Sequence, residues 1–400
     1  MLNALINTTV SRARAVRSRL TPLPYQARQA RRHDLSQGLA DDPGIERCLT
    51  ETAAWLCRAQ DLTMTGDDGV ARHYSLLDGW GPSYPETTGY IIPTLIDLGE
   101  DRQDEQLIRR ARRMLDWLLS IQFAEGGFQG GTVNGLPRVP VTFNTGQILL
   151  GLARGAVRFG EPYTAAMHRA ARWLVETQDS DGCWRRFPSP FTSPGVKAYE
   201  THVAWGLLEA ARVGAEARYA AAAIRNIQWA LTRQQANGWF ADCCVINPAE
   251  PLTHTLGYVL RGLIEGWRYS SDQKLLRAAR LTGTRLLEAI GRDGFLPGRL
   301  DQEWRGTVRW ACLTGTAQIA HCWLLLYRAT DDRRFRDAAF AANQYVRRTI
   351  SPDGPPEIRG AVRGSFPIHG DYGQFEYLNW GAKFLLDSLR LEQQVRRGEG

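Results

Sequence analysis

The sequence predicts an all-α chain, an (α/α)6 toroid built of six helical hairpins and twelve main helices. Three observations predict it. A unit made of Trp-Leu, a glutamine five residues after the tryptophan, and a glycine-marked turn recurs along the 400 residues. Helices with a polar flank alternate with more apolar ones, which two concentric layers require. The connections also fall into two classes, one short and one long.

The repeat is clearest at Trp55-Leu56 with Gln60, Trp117-Leu118 with Gln122, Trp173-Leu174 with Gln178, and Trp229-Ala230 with Gln234. Beyond each glutamine comes a turn, at Gly69, Gly127, Gly182 and Gly238. It returns at Gly294 and Gly354, where Leu286 and Tyr345 replace the aromatic-aliphatic pair. Successive glycines lie 58, 55, 56, 56 and 60 residues apart, which makes six copies of one unit. Glycine ends a helix in the left-handed conformation at little cost. The helices are expected over 44–60, 86–99, 103–122, 144–158, 161–178, 196–213, 216–234, 252–268, 271–290, 312–329, 332–350 and 378–395. Each second helix of a pair opens on small and hydroxyl residues, such as Thr88-Gly89, Thr145-Gly146 and Thr314-Gly315, which suit N-caps and close packing. Long aromatic loops precede these inner helices and short links follow them. Long loops inside a compact domain are usually functional, so the active face is expected around the N-termini of the inner ring.

Composition narrows the class. The apolar fraction of 44% is ample for one large core, but no apolar run approaches the ~18 residues of a membrane span. The N-terminus lacks an apolar segment followed by a small-residue cleavage site, and seven scattered cysteines form no disulfide framework. These features point to a cytoplasmic protein. The net charge of +7 is local, because residues 1–33 carry seven arginines and no acid, leaving 42 basic against 42 acidic residues elsewhere. A nucleic-acid-binding body would carry its own basic face, so no nucleic-acid partner is expected. The domain division is a basic extension over 1–40 and one toroid domain over 41–400. Within the extension, residues 2–20 place Leu2, Leu5, Ile6 and Val16 near one side of a helix with arginines around them. An interfacial helix on anionic lipid, a terminal helix lying on the toroid, and an organelle transit peptide all fit that pattern.

The long loops bring polar and aromatic side chains to the expected mouth. Glu86 follows Pro85 at the first inner helix, with Trp80, Tyr84 and Tyr90 beside it. Glu200 stands at the start of the third, with Lys197, Tyr199 and His202 around it. Gln147, His254, Tyr258, Trp310 and Gln318 come from the loops and inner-helix starts between and beyond these, and His369, Asp371 and Lys383 from the last loop and helix. Glu86, Glu200, His254 and Asp371 are the candidate catalytic groups, and the others are candidate substrate contacts. A carboxylate at a helix start also complements the helix dipole, so each has a structural explanation as well. Asp242, Cys244 and His254 are zinc-capable residue types, but the adjacent Cys243-Cys244 spacing is poor for a structural site, and no metal or cofactor is expected. No phosphate loop, nucleophile elbow, H-E-x-x-H or dinucleotide fingerprint occurs.

Arg169-Ala170, Trp173-Leu174, Gln178, Gly182 and Trp184 resemble the QW motif of triterpene cyclases and protein prenyltransferases, which share the α/α toroid. Taken whole, including GPSYPETTGY over 81–90 and GSFPIHGDYGQFEYLNWGAK over 364–383, the chain is similar to toroid proteins of bacterial polysaccharide-biosynthesis loci, often labelled prenyltransferase-like. The chain has no D-x-D-D and no D-D-x-x-D, the acid motifs of the cyclases.

Aromatic rings beside carboxylates form a cleft suited to sugars, whose flat apolar faces stack on them. The expected function is therefore an enzyme acting on a bacterial surface or exported polysaccharide. A glycosidase with paired carboxylates stands ahead of a lyase or uronate epimerase using His and Tyr. An isoprenoid-binding protein and a non-catalytic glycan-binding component of a polysaccharide synthase complex are the alternatives. The expected partner is an oligo- or polysaccharide, with peripheral contact to anionic membrane through residues 2–20.

Overall fold

A computed structural model describes residues 22–398, so the expected membrane-contacting helix over 2–20 lies outside the described residues. Thirteen α-helices are present among them. The first, α1 (Tyr25–Ser36), belongs to the basic extension. The other twelve are α2 (Ile45–Asp61), α3 (Pro85–Arg102), α4 (Glu105–Ile121), α5 (Thr142–Phe159), α6 (Tyr163–Thr177), α7 (Thr201–Gly214), α8 (Ala217–Leu231), α9 (Thr253–Ser270), α10 (Gln273–Ala289), α11 (Leu313–Thr330), α12 (Arg333–Arg347) and α13 (Asn379–Arg396). None of the described helices is long and apolar enough to cross a membrane.

Helices α3, α5, α7, α9, α11 and α13 each contact the next, and α13 returns to α3, closing an inner ring. The outer helices α2, α4, α6, α8, α10 and α12 surround it. Inner helices approach one another through glycine. A Cβ on Gly89 would come within 2.5 Å of the Ile148 Cα, and one on Gly206 within 2.4 Å of the Gly146 carbonyl oxygen. Larger side chains there would force the ring open.

The repeat has a mechanical meaning in the outer ring. The Gln122 amide donates to the carbonyls of Gly126 in its own turn and Ala166 in the next outer helix, both at 3.0 Å. Gln178 does the same to Gly182 (3.1 Å) and Ala222 (2.9 Å), and Gln234 reaches the Ala278 carbonyl at 2.9 Å. Each glutamine oxygen can then accept from an arginine one hairpin on, as Gln122 does from Arg169 and Gln178 from Arg225 (2.7 Å). The glutamines thus join neighbouring hairpins by adding a second hydrogen bond to carbonyls near the start of the next outer helix. The turn glycine is left-handed at Gly182, Gly238 and Gly294, but in the second unit Gly126 takes that role in place of Gly127. Gly69 and Gly127 have ordinary backbones and are small because a tryptophan ring of the following unit, Trp117 or Trp173, presses on them.

The threonines at inner-helix starts differ from the expected N-caps. Thr88 and Thr145 lie inside the first turn, donate to the carbonyls of Tyr84 and Val141, and accept the Val70 and Phe128 amides from the incoming loops. They fasten each long loop to the helix it feeds. Short strands also occur within the loops, which an all-helical reading omits. β1 (His73–Ser75) pairs antiparallel with β2 (Gly79–Trp80) and with β5 (Glu376–Leu378), while β3 (Ala311–Cys312) pairs with β4 (Ser365–Phe366). Two- and three-residue ladders leave no alternation long enough to read in sequence. Their effect is large, since they zip the first loop to the last and close the toroid at the mouth. Helix α1 lies against that same last loop. The buried Asp34 carboxylate accepts the Ile368 amide at 2.8 Å and lies 3.6 Å from Arg363.

Candidate active site

The first turns of the inner helices converge below the mouth, and their side chains form one aromatic and polar cluster. Tyr258 of α9 is at its centre. Its ring lies 4.5 Å from the His202 ring, 4.4 Å from that of His254 and 5.2 Å from that of Phe143. Tyr90 packs on Phe384 (5.4 Å). The His254 ring also lies 5.6 Å from Tyr372, whose hydroxyl accepts from the Trp380 indole at 2.7 Å. Trp380 lies 6.3 Å from Tyr84.

The two histidines are held alike. His202 Nδ1 donates to Gln147 Oε1 at 2.5 Å, and His254 Nδ1 donates to Gln318 Oε1. An amide oxygen can only accept, so in each neutral imidazole the proton sits on Nδ1 and the Nε2 lone pair is available. His202 Nε2 is buried with no hydrogen-bond partner, as are the Gln147 and Asn144 amide nitrogens. Burial lowers His254 to about 4, against the opposing bond to Gln318. His202 is lowered well below the usual histidine range by burial and then by the charges of Lys383 and Arg261. Both rings are therefore neutral bases near pH 7.

Glu86 is the acid of the cluster. Burial pushes its carboxyl up to about 7, opposed by a hydrogen bond from Tyr84 and by the charge of Arg72. Arg72 spans from Glu86 to the rim. Its guanidinium donates to Glu376 at 3.0 Å and lies 5.2 Å from the Trp380 ring. Deeper in the ring, Lys383 is paired with Asp387 at 2.6 Å, and Thr94 donates to the same carboxylate at 2.7 Å. Burial lowers the Lys383 ammonium, with Asp387 opposing.

The sequence candidates divide into three places. Glu86, Tyr84, Tyr90, Gln147, Tyr199, His202, His254, Tyr258, Gln318 and Lys383 belong to this cluster or line it. Glu200 and Lys197 face elsewhere. Burial pushes Glu200 up to about 8, and the charges acting on it are those of Lys197, Arg185 and Asp179 rather than Glu86. Lys197 donates to Ser193 at 2.9 Å. Glu86 and Glu200 are thus not a facing carboxylate pair. Trp310, His369 and Asp371 sit at the rim, where Asp371 is exposed and 3.5 Å from Arg299. Trp80 is apart from all of these, tilted against Trp55 (5.7 Å) and edge-on to Tyr74 (5.2 Å) beneath the β1–β2 turn. The zinc-capable residues also separate. His254 is engaged with Gln318, Asp242 lies 3.8 Å from Arg233, and the neighbouring Cys243 donates to the Thr255 carbonyl. No group of three or more potential ligands gathers among the described residues.

Sequence reasoning missed Arg72, Glu376, Phe143, Trp380 and Phe384. Phe384 follows the chosen Lys383 and Phe143 precedes Asn144, so a wider window at each helix start would have included both. Arg72 and Glu376 are 304 residues apart and meet only through the β1–β5 ladder.

No model of a known protein family matches the chain, and no curated protein is similar to it in sequence. Solved structures do resemble it. An unsaturated glucuronyl hydrolase specific for heparin matches with a TM-score of 0.71 at 14% identity, over 88% of this chain and 98% of that one. The cellobiose 2-epimerase of Bacillus thermoamylovorans matches with a TM-score of 0.69 at 11% identity, over 86% and 98%. A D-mannose isomerase matches with a TM-score of 0.69 at 12% identity, over 88% and 97%. At these identities the likeness establishes the fold, and the chain is an α/α toroid.

Proposed function

We propose that the chain is a carbohydrate-active enzyme that moves a proton on a sugar carbon, an epimerase- or isomerase-type reaction. The observation that carries this reading is the pair of neutral histidines, each fixed through Nδ1 to a glutamine, on either side of Tyr258. A base poised with its lone pair free can take the proton from the carbon beside a sugar carbonyl. In this reading His254 Nε2 takes that proton, and Glu86, still carrying its own near neutrality, donates to the carbonyl oxygen to give an enediol. Glu86 then takes the hydroxyl proton back as carbon is reprotonated. Return of the proton from the His254 imidazolium to the opposite face of the same carbon, once the enediol has turned in the site, gives the epimer. Return to the neighbouring carbon gives the isomer.

Hydrolysis is the second reading, favoured by a different observation. Glu86 and Glu376 both adjoin Arg72, so two carboxyl groups, that of Glu86 raised by burial, stand near one cation. The solved structures that share the fold include both a sugar hydrolase and sugar epimerases and isomerases, which is compatible with either reading. The isoprenoid alternative rests on the repeat, whose glutamines are occupied in holding outer helices together.

Incubation with reducing mono- and disaccharides in D2O tests the proposal. Deuterium appearing at the carbon beside the carbonyl, without new reducing ends, is the expected result. New reducing ends without exchange would replace it by the hydrolytic reading, and neither product from a broad panel would overturn both.

A further inference from the structure

A second place at the mouth is built for a ligand, and the deep cluster does not use it. Leu35 of α1, Arg309, Trp310, His369, Asp371 and Gln374 line a depression of about 350 Å³, at the lower end of the ~300–1,000 Å³ usual for small-molecule sites. Trp310 is its aromatic wall. The indole is clamped by two glycines, since a Cβ on Gly298 or Gly370 would lie 2.2 or 2.7 Å from it. Arg299 lies 6.0 Å from the ring, bonds the Glu250 carbonyl at 2.9 Å and is 3.5 Å from Asp371. The ring is therefore fixed before any ligand arrives. Around it stand a cation, a carboxylate and an amide, and the His369 Nδ1 is buried without a partner.

This depression and the deep cluster share one wall. Asp371 lines the first, and the next residue, Tyr372, lies 5.6 Å from His254 in the second. The segment bearing both is positioned by α1, through Asp34 accepting the Ile368 amide. The amino-terminal helix thus supplies one side of the depression and holds the other.

Resting on the reading of the deep cluster as a sugar site, we infer that the substrate is at least a disaccharide. Its reacting unit enters the His/Glu cluster and its neighbouring pyranose stacks on Trp310 in a subsite completed by α1. A rigid indole offers the flat face that a pyranose covers, and Arg309, Asp371 and Gln374 offer donors and acceptors to its hydroxyls.

The test compares binding of matched pairs by the full chain: glucose with cellobiose, mannose with mannobiose, galactose with galactobiose. Saturation-transfer NMR and calorimetry are the readouts. At least one disaccharide is expected to bind about tenfold more tightly than its monosaccharide. Trp310→Ala should abolish that gain and leave monosaccharide binding unchanged. Leu35→Trp, which fills the depression from an exposed position, should do the same without disturbing the core. Equal binding of mono- and disaccharides in every pair, or a gain that survives both variants, overturns the inference while the deep site stands. If no sugar of the panel binds at all, the inference and the reading beneath it both fall.

Discussion

Glutamines recur in both rings of the toroid, and each ring gives them a different partner. In the outer ring Gln122 and Gln178 spend their amides on backbone carbonyls of two successive hairpins, and Gln234 spends its own on the Ala278 carbonyl and the Thr282 hydroxyl, which in turn donates to the Gly238 carbonyl. In the inner ring Gln147 and Gln318 each hold an imidazole by Nδ1. The first arrangement is periodic, because every outer helix presents a carbonyl of its N-terminal half to the glutamine of the hairpin before it. The second breaks the period and occurs only at the mouth. One residue type thus serves assembly on the outside and tautomer control on the inside, and the partner rather than the residue separates the two.

The largest expected effect falls on the inner ring. Glu86→Gln removes the ionisable acid while keeping the shape, and turnover or exchange should fall by about 10²–10⁴, the usual contribution of a general acid. Circular dichroism and melting temperature should stay near those of the parent. A variant retaining full exchange would take Glu86 out of the chemistry.

Next comes the support of His254. Gln318→Leu leaves Nδ1–H buried without its acceptor, at about 1–3 kcal/mol, which is roughly ten- to a hundredfold if felt in the transition state. Steady-state kinetics should show the loss mainly in kcat. An unchanged kcat would mean that the tautomer needs no holding.

The outer ring should respond in the opposite currency. Gln178→Ala removes one bond to each of the Gly182 and Ala222 carbonyls and the acceptor of Arg225, while Asn226 still donates to Gly182, so stability should drop by about 1 kcal/mol with kcat/KM intact. Chemical denaturation and kinetics on the same sample read both halves. A loss of kcat/KM at full stability would erase the distinction between the rings.

The smallest effect concerns Glu200, which sits in neither glutamine system. Its folded value is raised to about 8, so the stability tied to its neutral form is fully present below the ordinary glutamate value and is lost as pH rises through 8. Glu200→Gln should match the parent near pH 5 and exceed it above pH 8. Thermal melts across pH 5–9 would show parallel curves if burial has no such effect.

This contrast also explains what could be read in advance. The outer ring was legible because its demands repeat. Four Trp-to-Gln pairs at an offset of five, with turn glycines 55 to 60 residues apart, marked six units, and all twelve toroid helices lie within a few residues of the expected ranges. His202 and His254 were legible for the same reason, being equivalent positions of neighbouring inner helices. The separation of Glu86 from Glu200 was not, since the two occupy similar helix starts but turn to different surroundings. Sequence gives a helix position, whereas the direction a side chain takes depends on what the adjoining loop leaves open. Arg72 and Glu376 escaped because their meeting depends on three-residue strands that close the ring, a contact with no local pattern. Asp34 escaped because α1 reads as part of a basic arm, while its one buried acid is what docks it to the last loop.

The most direct test of the central claim is the pH dependence of hydrogen exchange at the carbon beside the carbonyl of a reducing sugar, in D2O, for the wild-type chain and His254→Phe. A neutral histidine base and a protonated glutamic acid predict a bell, with its acid limb near 4 from His254 and its alkaline limb near 7 from Glu86. His254→Phe should reduce exchange to background. A profile without an alkaline limb, or exchange that persists in His254→Phe, would contradict the account.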